Sequence, residues 1–206
     1  MAENFSCGLV LLAAGASTRM GRPKQLLPVR GKPLLRHVVE SVLTEPVSPV
    51  IVVLGANAPE IAPCLDGLRV HVVVNAGWGE GMGSSLRIGL EALITSTPTV
   101  GGIIVALADQ PDLPTGHLAA LIERQRATGR SIVASESEGV HGPPVLFTRK
   151  FFRALLALRG DTGARSLLRT YPEDVGAIPL PNLRDLDTPA DYADHLNRPP
   201  PKNSGG

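Results

Sequence analysis

The stretch Leu11–Lys24 reads L-L-A-A-G-A-S-T-R-M-G-R-P-K, and its reading decides the fold. An apolar run from Leu9 to Leu12 gives way to Ala13-Ala14-Gly15, and the nine residues after Gly15 carry a second glycine, two hydroxyls, two arginines and a lysine. This is the pattern of a strand that ends in an anion-binding loop. Gly15 and Gly21 allow the backbone to turn its N–H groups inward and approach a ligand closely. Arg19, Arg22 and Lys24 add positive charge at the same point, so a polyphosphate is the natural guest. Gly21 is followed by Arg22, not by the lysine that a G-x-x-x-x-G-K-[ST] loop requires. No G-x-G-x-x-G follows the run either, which weakens a dinucleotide-binding reading.

Outward from this loop, similar runs recur at Val50–Leu54, Val70–Val74, Ile103–Leu107 and Ile132–Ala134. Their continuity suits strands buried on both faces. Between them lie helical stripes: Leu34, Leu35, Val38, Val39, Val42 and Leu43 behind Pro33; Leu86, Leu90, Leu93 and Ile94; Leu118, Leu121 and Ile122. The alternation predicts βαβ layering around a mostly parallel sheet. In such sheets ligands sit beyond the carboxyl ends of the strands. Three segments would converge there: the Gly15 loop, the glycine-rich turn Asn75–Ser85, and Ala108-Asp109-Gln110-Pro111-Asp112.

The later chain is less regular. Val140–Phe147 reads as a turn and a strand interrupted by Pro143 and Pro144, followed by a helical stripe through Phe151, Phe152, Leu155 and Leu156. Gly160-Asp161-Thr162-Gly163-Ala164-Arg165 leads to a short helix ending at Leu168, and Val175–Leu180 reads as a strand. Asp187 or Thr188 can cap a terminal helix that begins at Pro189. One domain is expected over residues 1–196, with a disordered tail at 197–206 where three prolines follow one another.

Composition excludes several classes. A net charge of +1 gives no general field for nucleic acid or a membrane surface, so any anion must be bound locally. The two cysteines, Cys7 and Cys64, have no partners at metal-ligand spacing and read as small core or surface thiols. The first residues lack the basic start and apolar stretch of a secretion signal, and no run is long enough to span a bilayer; the expected location is the cytoplasm.

Each candidate residue has a structural alternative. Asp109 follows a buried run, where a carboxylate holds Mg²⁺ against substrate phosphates, and it is equally a turn residue before Pro111. Asp185 and Asp187 can be helix caps, and one of them suffices as a second ligand. Ser84 and Ser85 open a helix, so one is explained by capping while the other is available to read a base edge. Trp78 can cover a ring, but a packing anchor is the favoured role. His37 and His71 read as structural.

Together, L-A-A-G-A-S-T-R-M-G-R-P-K-Q-L-L from Leu12, E-G-M-G-S-S-L from Glu80, A-D-Q-P from Ala108, G-D-T-G-A-R from Gly160 and L-D-T-P from Leu186 resemble the molybdenum cofactor cytidylyltransferases. These belong to the nucleotidyltransferases of the molybdenum-cofactor and sugar-nucleotide type. The resemblance implies a Rossmann-like three-layer α/β fold of the nucleotide-diphospho-sugar transferase type and transfer of CMP from CTP to the terminal phosphate of molybdopterin, with Mg²⁺ as cofactor. It further implies catalytic roles for Arg19, Lys24 and Asp109. Nucleotide contacts fall to Ala13, Ala14, Gly15, Ser17, Gly21, Asn75, Ser84 and Ser85, with Ser85 reading cytosine. Gly160, Asp161 and Arg165 would face the acceptor, and Asp109 and Asp187 the metal. Ala14, where guanylyl-transferring relatives have glycine, favours cytosine over guanine. Gly142-Pro143-Pro144 departs from the family's Gly-His-Pro, with His141 the residue that could compensate. Partners implied are CTP, molybdopterin, and a molybdoenzyme or its delivery chaperone. Two alternatives remain: another nucleoside triphosphate with a sugar phosphate acceptor, and a non-catalytic carrier of the cofactor.

Overall fold

Side-chain alternation along the first strand sorts the molecule into layers. In the computed structural model, which describes residues 5–161, 163–180 and 183–198, strand β1 (Cys7–Ala13) is buried at every position. Leu9, Leu11 and Ala13 enter one core, and Val10, Leu12 and the following Ala14 enter the other. A strand covered on both faces must be apolar throughout, which is what its sequence supplies.

The chain continues through a small hairpin, β2 (Pro28–Val29) and β3 (Lys32–Pro33), turned at Arg30 and Gly31, both with positive φ. Then follow α1 (Leu34–Val42), β4 (Val50–Leu54), α2 (Ala58–Ile61), β5 (His71–Val74), α3 (Met82–Ser96) and β6 (Gly102–Leu107). After these come α4 (His117–Thr128), β7 (Ile132–Ser137), β8 (Val140–Thr148), α5 (Phe152–Leu156), α6 (Arg165–Thr170), β9 (Val175–Pro179) and α7 (Pro189–Leu196). Seven strands form one sheet in the order β5-β4-β1-β6-β8-β7-β9. Only β8 runs against the rest: it is antiparallel to both β6 and β7, while β9 is parallel to β7.

Helices α1 and α4 cover one face with Leu35, Val38, Val39, Leu118 and Leu121; α3, α5 and α6 cover the other with Leu86, Leu90, Leu155 and Leu167. Helix α3 lies close on the sheet because residue 89 is glycine. A Cβ there would stand 2.5 Å from Val10 Cγ1 and 2.8 Å from Val53 Cγ2. Each fully buried leucine of these layers contributes roughly 1.5–3 kcal/mol by leaving water. The predicted three-layer α/β architecture is therefore present.

Two local expectations need correction, and the core reading of Cys7 holds. Residues 140–148 form one strand, because both prolines fall where the β7–β8 register shifts between Ala134 and Ser135 and the ladder needs no donor from them. Helix α3 starts at Met82, ahead of Ser84 and Ser85, and no side chain caps it. Cys7 is a core thiol that donates to the Gly8 carbonyl, and burial pushes its pKa up to about 12. The expected tail at 197–206 lies outside the described residues from position 199 onward.

Candidate active site

Because β1, β4, β5 and β6 are parallel, the loops that follow them leave the same edge of the sheet. Two adjoining cavities open there. The first, of about 430 Å³, runs from Ala13, Ala14 and Gly15 past Trp78 and Ser85 to Lys24, Asp109 and Asp187. The second, of about 590 Å³, has a floor of Leu86, Val105 and Val145 and a rim on α6 formed by Arg165 and Arg169. Leu12, Met82, Leu107, Asp161 and Asp185 line both.

At one end of the first cavity lies a charge network. Lys24 Nζ donates to Asp109 Oδ2 at 2.6 Å and to Asp187 Oδ1 at 2.8 Å, and Arg19 reaches the other Asp187 oxygen at 2.9 Å. Two carboxylates far apart in sequence are brought together by backbone: the Leu186 N–H donates to the Asp109 carbonyl at 2.9 Å. A capping box on α7, in which Thr188 and Asp191 exchange hydrogen bonds, holds the chain just after Asp187. The cap is thus Thr188, which leaves the Asp187 carboxylate free for the site. Asp185 instead accepts from Gln110 at 2.8 Å.

Burial pushes the Asp109 carboxyl above the usual carboxylate range, with Lys24 offsetting this only in part. For Lys24 itself burial acts downward, but the charges and hydrogen bonds of Asp109 and Asp187 outweigh it and hold the ammonium above its ordinary value. Asp187 is drawn upward by burial and, more strongly, downward by Lys24 and Arg19, so it lies below its ordinary value. The three groups sit as one anion–cation–anion unit with a net negative charge before Arg19 is counted. The inner oxygen of Asp109, Oδ1, is buried and has no hydrogen-bond partner among the described residues.

The phosphate-type loop is held from behind by a residue that the sequence reading passed over. Gln25 is buried, and its amide nitrogen donates to the carbonyls of Ala13 at 2.9 Å and Gly15 at 3.0 Å. Its side-chain carbonyl accepts from Ser17, whose hydroxyl oxygen accepts from the Lys24 N–H. A glutamine beside the lysine of a loop was the available signal. Gly15 faces open space where a Cβ would stand, which leaves room for a ligand.

Several expected contacts lie behind the wall instead of on it. Ser17 and Gly21 shape the loop, Ser17 at φ 57° and Gly21 at φ 70°, but neither lines the cavity. Asn75 is spent: its nitrogen donates to Ser84 and Ser85, and its oxygen accepts from the Gly77 N–H. Ser84 is also saturated, accepting from Asn75 and directing its hydroxyl at the Gly77 and Gly81 carbonyls. Ser85 accepts from Asn75 at 3.0 Å and donates to no group among the described residues, so its O–H is available inside the cavity. Gly160 packs under α3, where its carbonyl accepts from Gly83, while Asp161 lines both cavities and Arg165 the second. Thr162 lies outside the described residues.

Trp78 is 40% exposed and lines the first cavity, so it is not the packing anchor expected. His141 pairs with Glu136 at 3.5 Å across β7–β8 and lines neither cavity; Pro143 stands in the second cavity in its place. His37 bonds the Pro111 carbonyl, in keeping with a structural role. Among the described residues no helix is long and apolar enough to cross a membrane.

The family of MobA-like NTP transferase domains matches residues 9–175. The "nicotine blue oxidoreductase" of Paenarthrobacter nicotinovorans is 37% identical over 170 residues, covering 79% of this chain and 81% of that protein. The "purine catabolism protein PucB" of Bacillus subtilis is 32% identical over 196 residues, covering 89% and 92%. Among solved structures, Rv0371C of Mycobacterium tuberculosis in complex with manganese superposes with a TM-score of 0.75 at 30% identity, covering 93% of this chain and 98% of that one.

Proposed function

The chain belongs to the MobA-like NTP transferase family, a family of nucleotidyltransferases, and from that premise we propose that it transfers CMP from CTP to the terminal phosphate of molybdopterin, releasing pyrophosphate. The observation that carries this reading is the pair of cavities with a shared wall, one ending in Lys24, Asp109 and Asp187 and the other floored by apolar side chains. A nucleotide in the first and an acceptor in the second would meet at that wall. An apolar floor receives a flat ring better than a polyhydroxyl sugar, since burying hydroxyls without partners is unfavourable. Arg165 and Arg169, one helical turn apart, make no ion pair among the described residues and face the polar edge of such an acceptor.

The donor set fits a divalent cation. Asp109 presents a buried oxygen without a partner among the described residues, Asp187 lies one ammonium away, and hard oxygen ligands of this kind suit Mg²⁺ or Mn²⁺. The manganese complex of the Rv0371C relative supports a divalent ion at this fold. When bound, the ion supplies neutralising charge on phosphate oxygens.

The chain's own residues do the rest. Lys24 and Arg19, paired with the carboxylates, are the cations that would meet the triphosphate. The acceptor phosphate oxygen forms a bond to the α-phosphorus as the bond to the β-phosphate bridging oxygen breaks, and pyrophosphate carries away that electron pair. Alignment and charge neutralisation are the main requirements, and an ionised acceptor phosphate needs no general base.

The test is pyrophosphate release with CTP, GTP, ATP and UTP against molybdopterin and a panel of sugar phosphates. CTP with molybdopterin is the expected pair; preference for another nucleotide or for a sugar phosphate overturns the corresponding half of the proposal. Reduction of nicotine blue by a nicotinamide reductant is measured beside it, because one relative carries that name. Turnover there without pyrophosphate release overturns the proposal as a whole.

A further inference from the structure

Trp78 is the only tryptophan of the chain, and none of its ordinary roles explains its place. It begins a single 3-10 turn, Trp78–Glu80, between β5 and α3. A large ring left 40% exposed forgoes much of the hydrophobic gain that burial would give it. Among the described residues the ring enters no aromatic pair; the pairs found join Phe147, Phe151 and Tyr171 elsewhere. It forms part of the wall of the first cavity, together with Ala13, Ala14 and Ser85.

The backbone beneath the ring is fixed tightly. A Cβ added to Gly55, just after β4, would stand 2.7 Å from Trp78 Cβ, 2.6 Å from the Ala14 carbonyl oxygen and 2.8 Å from Ala14 Cβ. Three strand-end loops therefore close on one another at this point, and only a glycine permits it. The Trp78 carbonyl accepts from the Gly81 N–H at 3.1 Å, and its N–H donates to the Asn75 carbonyl at 3.3 Å. Asn75 in turn positions Ser85. The 3-10 turn and the start of α3 thus present two different things to the same cavity: an aromatic plane held at its root and a hydroxyl whose hydrogen meets no acceptor among the described residues.

We propose that Trp78 is a nucleobase-covering residue, which stacks on the face of the base while Ser85 meets its edge. This rests on the reading of the first cavity as a nucleotide site, and it assigns to the base what Lys24 and Arg19 cannot supply. A plane is sequence-tolerant because every base has a π face. Trp78 accordingly sets affinity for the nucleoside part, and discrimination among bases is left to Ser85 and Ala14.

A lone tryptophan makes the test direct, since all indole emission of the unchanged protein comes from this ring. Titration with CTP and with CMP is expected to quench the emission, whereas inorganic tripolyphosphate, which has no base, leaves it nearly constant. By calorimetry, Trp78→Ala is expected to weaken CTP by at least about fivefold, the low end of base stacking, with tripolyphosphate affinity unchanged. Trp78→Phe is expected to restore most of the CTP affinity, and the emission titration of the unchanged protein carries the test if the alanine variant does not fold. Equal CTP affinity in Trp78→Ala and the unchanged protein overturns the inference and leaves the nucleotide reading standing, as does an emission change as large with tripolyphosphate as with CTP. Quenching by a purine nucleotide but not by CTP keeps the role of Trp78 and removes the choice of cytosine. Failure of every nucleoside triphosphate to bind overturns both.

Discussion

The first cavity is walled mainly by loops that follow parallel strands, whereas the second is lined by side chains of β6, β8, α3 and α6 that the topology gathers from distant parts of the chain. The first is polar at its working end, with an ammonium between two carboxylates. The second is apolar at its floor, and its charges stand on a helix at the rim. A loop after a strand has backbone groups and charged side chains to offer at short range, so it suits phosphate. A sheet face covered by helices offers hydrocarbon, so it suits a ring. The single antiparallel strand, β8, contributes Pro143 and Val145 to the second cavity, so the reversal of direction marks the change from one kind of site to the other.

The widest separation between the two regions should come from the charge network. Lys24→Ala and Asp109→Asn are each expected to lower turnover with CTP and molybdopterin by about a thousandfold, as expected when a preorganised electrostatic contact to the transferring group is lost. Far-ultraviolet circular dichroism should show the fold retained. Turnover near that of the unchanged protein would remove the residue from the proposed chemistry.

Next in size, Arg165→Ala and Arg169→Ala are expected to raise the KM for molybdopterin by about tenfold, the scale of one charge-assisted hydrogen bond, and to leave the KM for CTP unchanged. Steady-state kinetics with each substrate varied separately decides this. A rise in both constants would mean that the cavities do not act independently. A smaller effect is expected from Ala14→Gly, which removes a methyl group from the first cavity beside the root of Trp78. It should shift the ratio of CTP to GTP use toward GTP by roughly tenfold, as one methyl group in a pocket can. An unchanged ratio would detach base choice from Ala14.

The least direct effect is on stability. His117 Nε2 lies 2.8 Å from the Ser135 hydroxyl, which donates to the Pro144 carbonyl, so His117 supports the β7–β8 frame beside the second cavity. Burial lowers its pKa from 6.5 to about 4. Between these values the unfolded chain binds more protons than the folded one. The contribution is therefore complete above pH 6.5 and is lost as pH falls toward about 4. Urea midpoints at pH 7 and pH 5 should differ more in the unchanged protein than in His117→Asn. Equal pH dependence in the two would refute the buried neutral imidazole.

The difference between the cavities also explains what could be read from residues alone. β1 and β4, with β6 near it in composition, are continuous apolar runs, and covered strands can be nothing else; their positions and parallel pairing followed. The loop from Ala13 to Lys24 and Asp109 after β6 were equally legible, because the position after a parallel strand is itself the signal. Gln25 was missed because its work is to satisfy two carbonyls from beneath, a role with no spacing of its own. Residue type and capping left Ser84 and Ser85 equivalent, and only the family resemblance favoured Ser85. They differ only in which hydrogen bonds the turn leaves unmade. His141 and Pro143 were undecidable until the register shift in β7–β8 set one beside Glu136 and the other in the cavity.

The sequence by itself determined the layers, the strand-end loops and the kind of charge at each, since hydrophobic period and residue type act locally. Only the tertiary structure decided that Lys24 joins Asp109 to Asp187 and not to Asp185, that Asn75 and Ser84 are spent behind the wall, and that Trp78 faces the cavity. Those outcomes depend on backbone contacts between segments far apart in the chain, such as Leu186 with Asp109 and Gly55 with Ala14 and Trp78, and no local pattern records them.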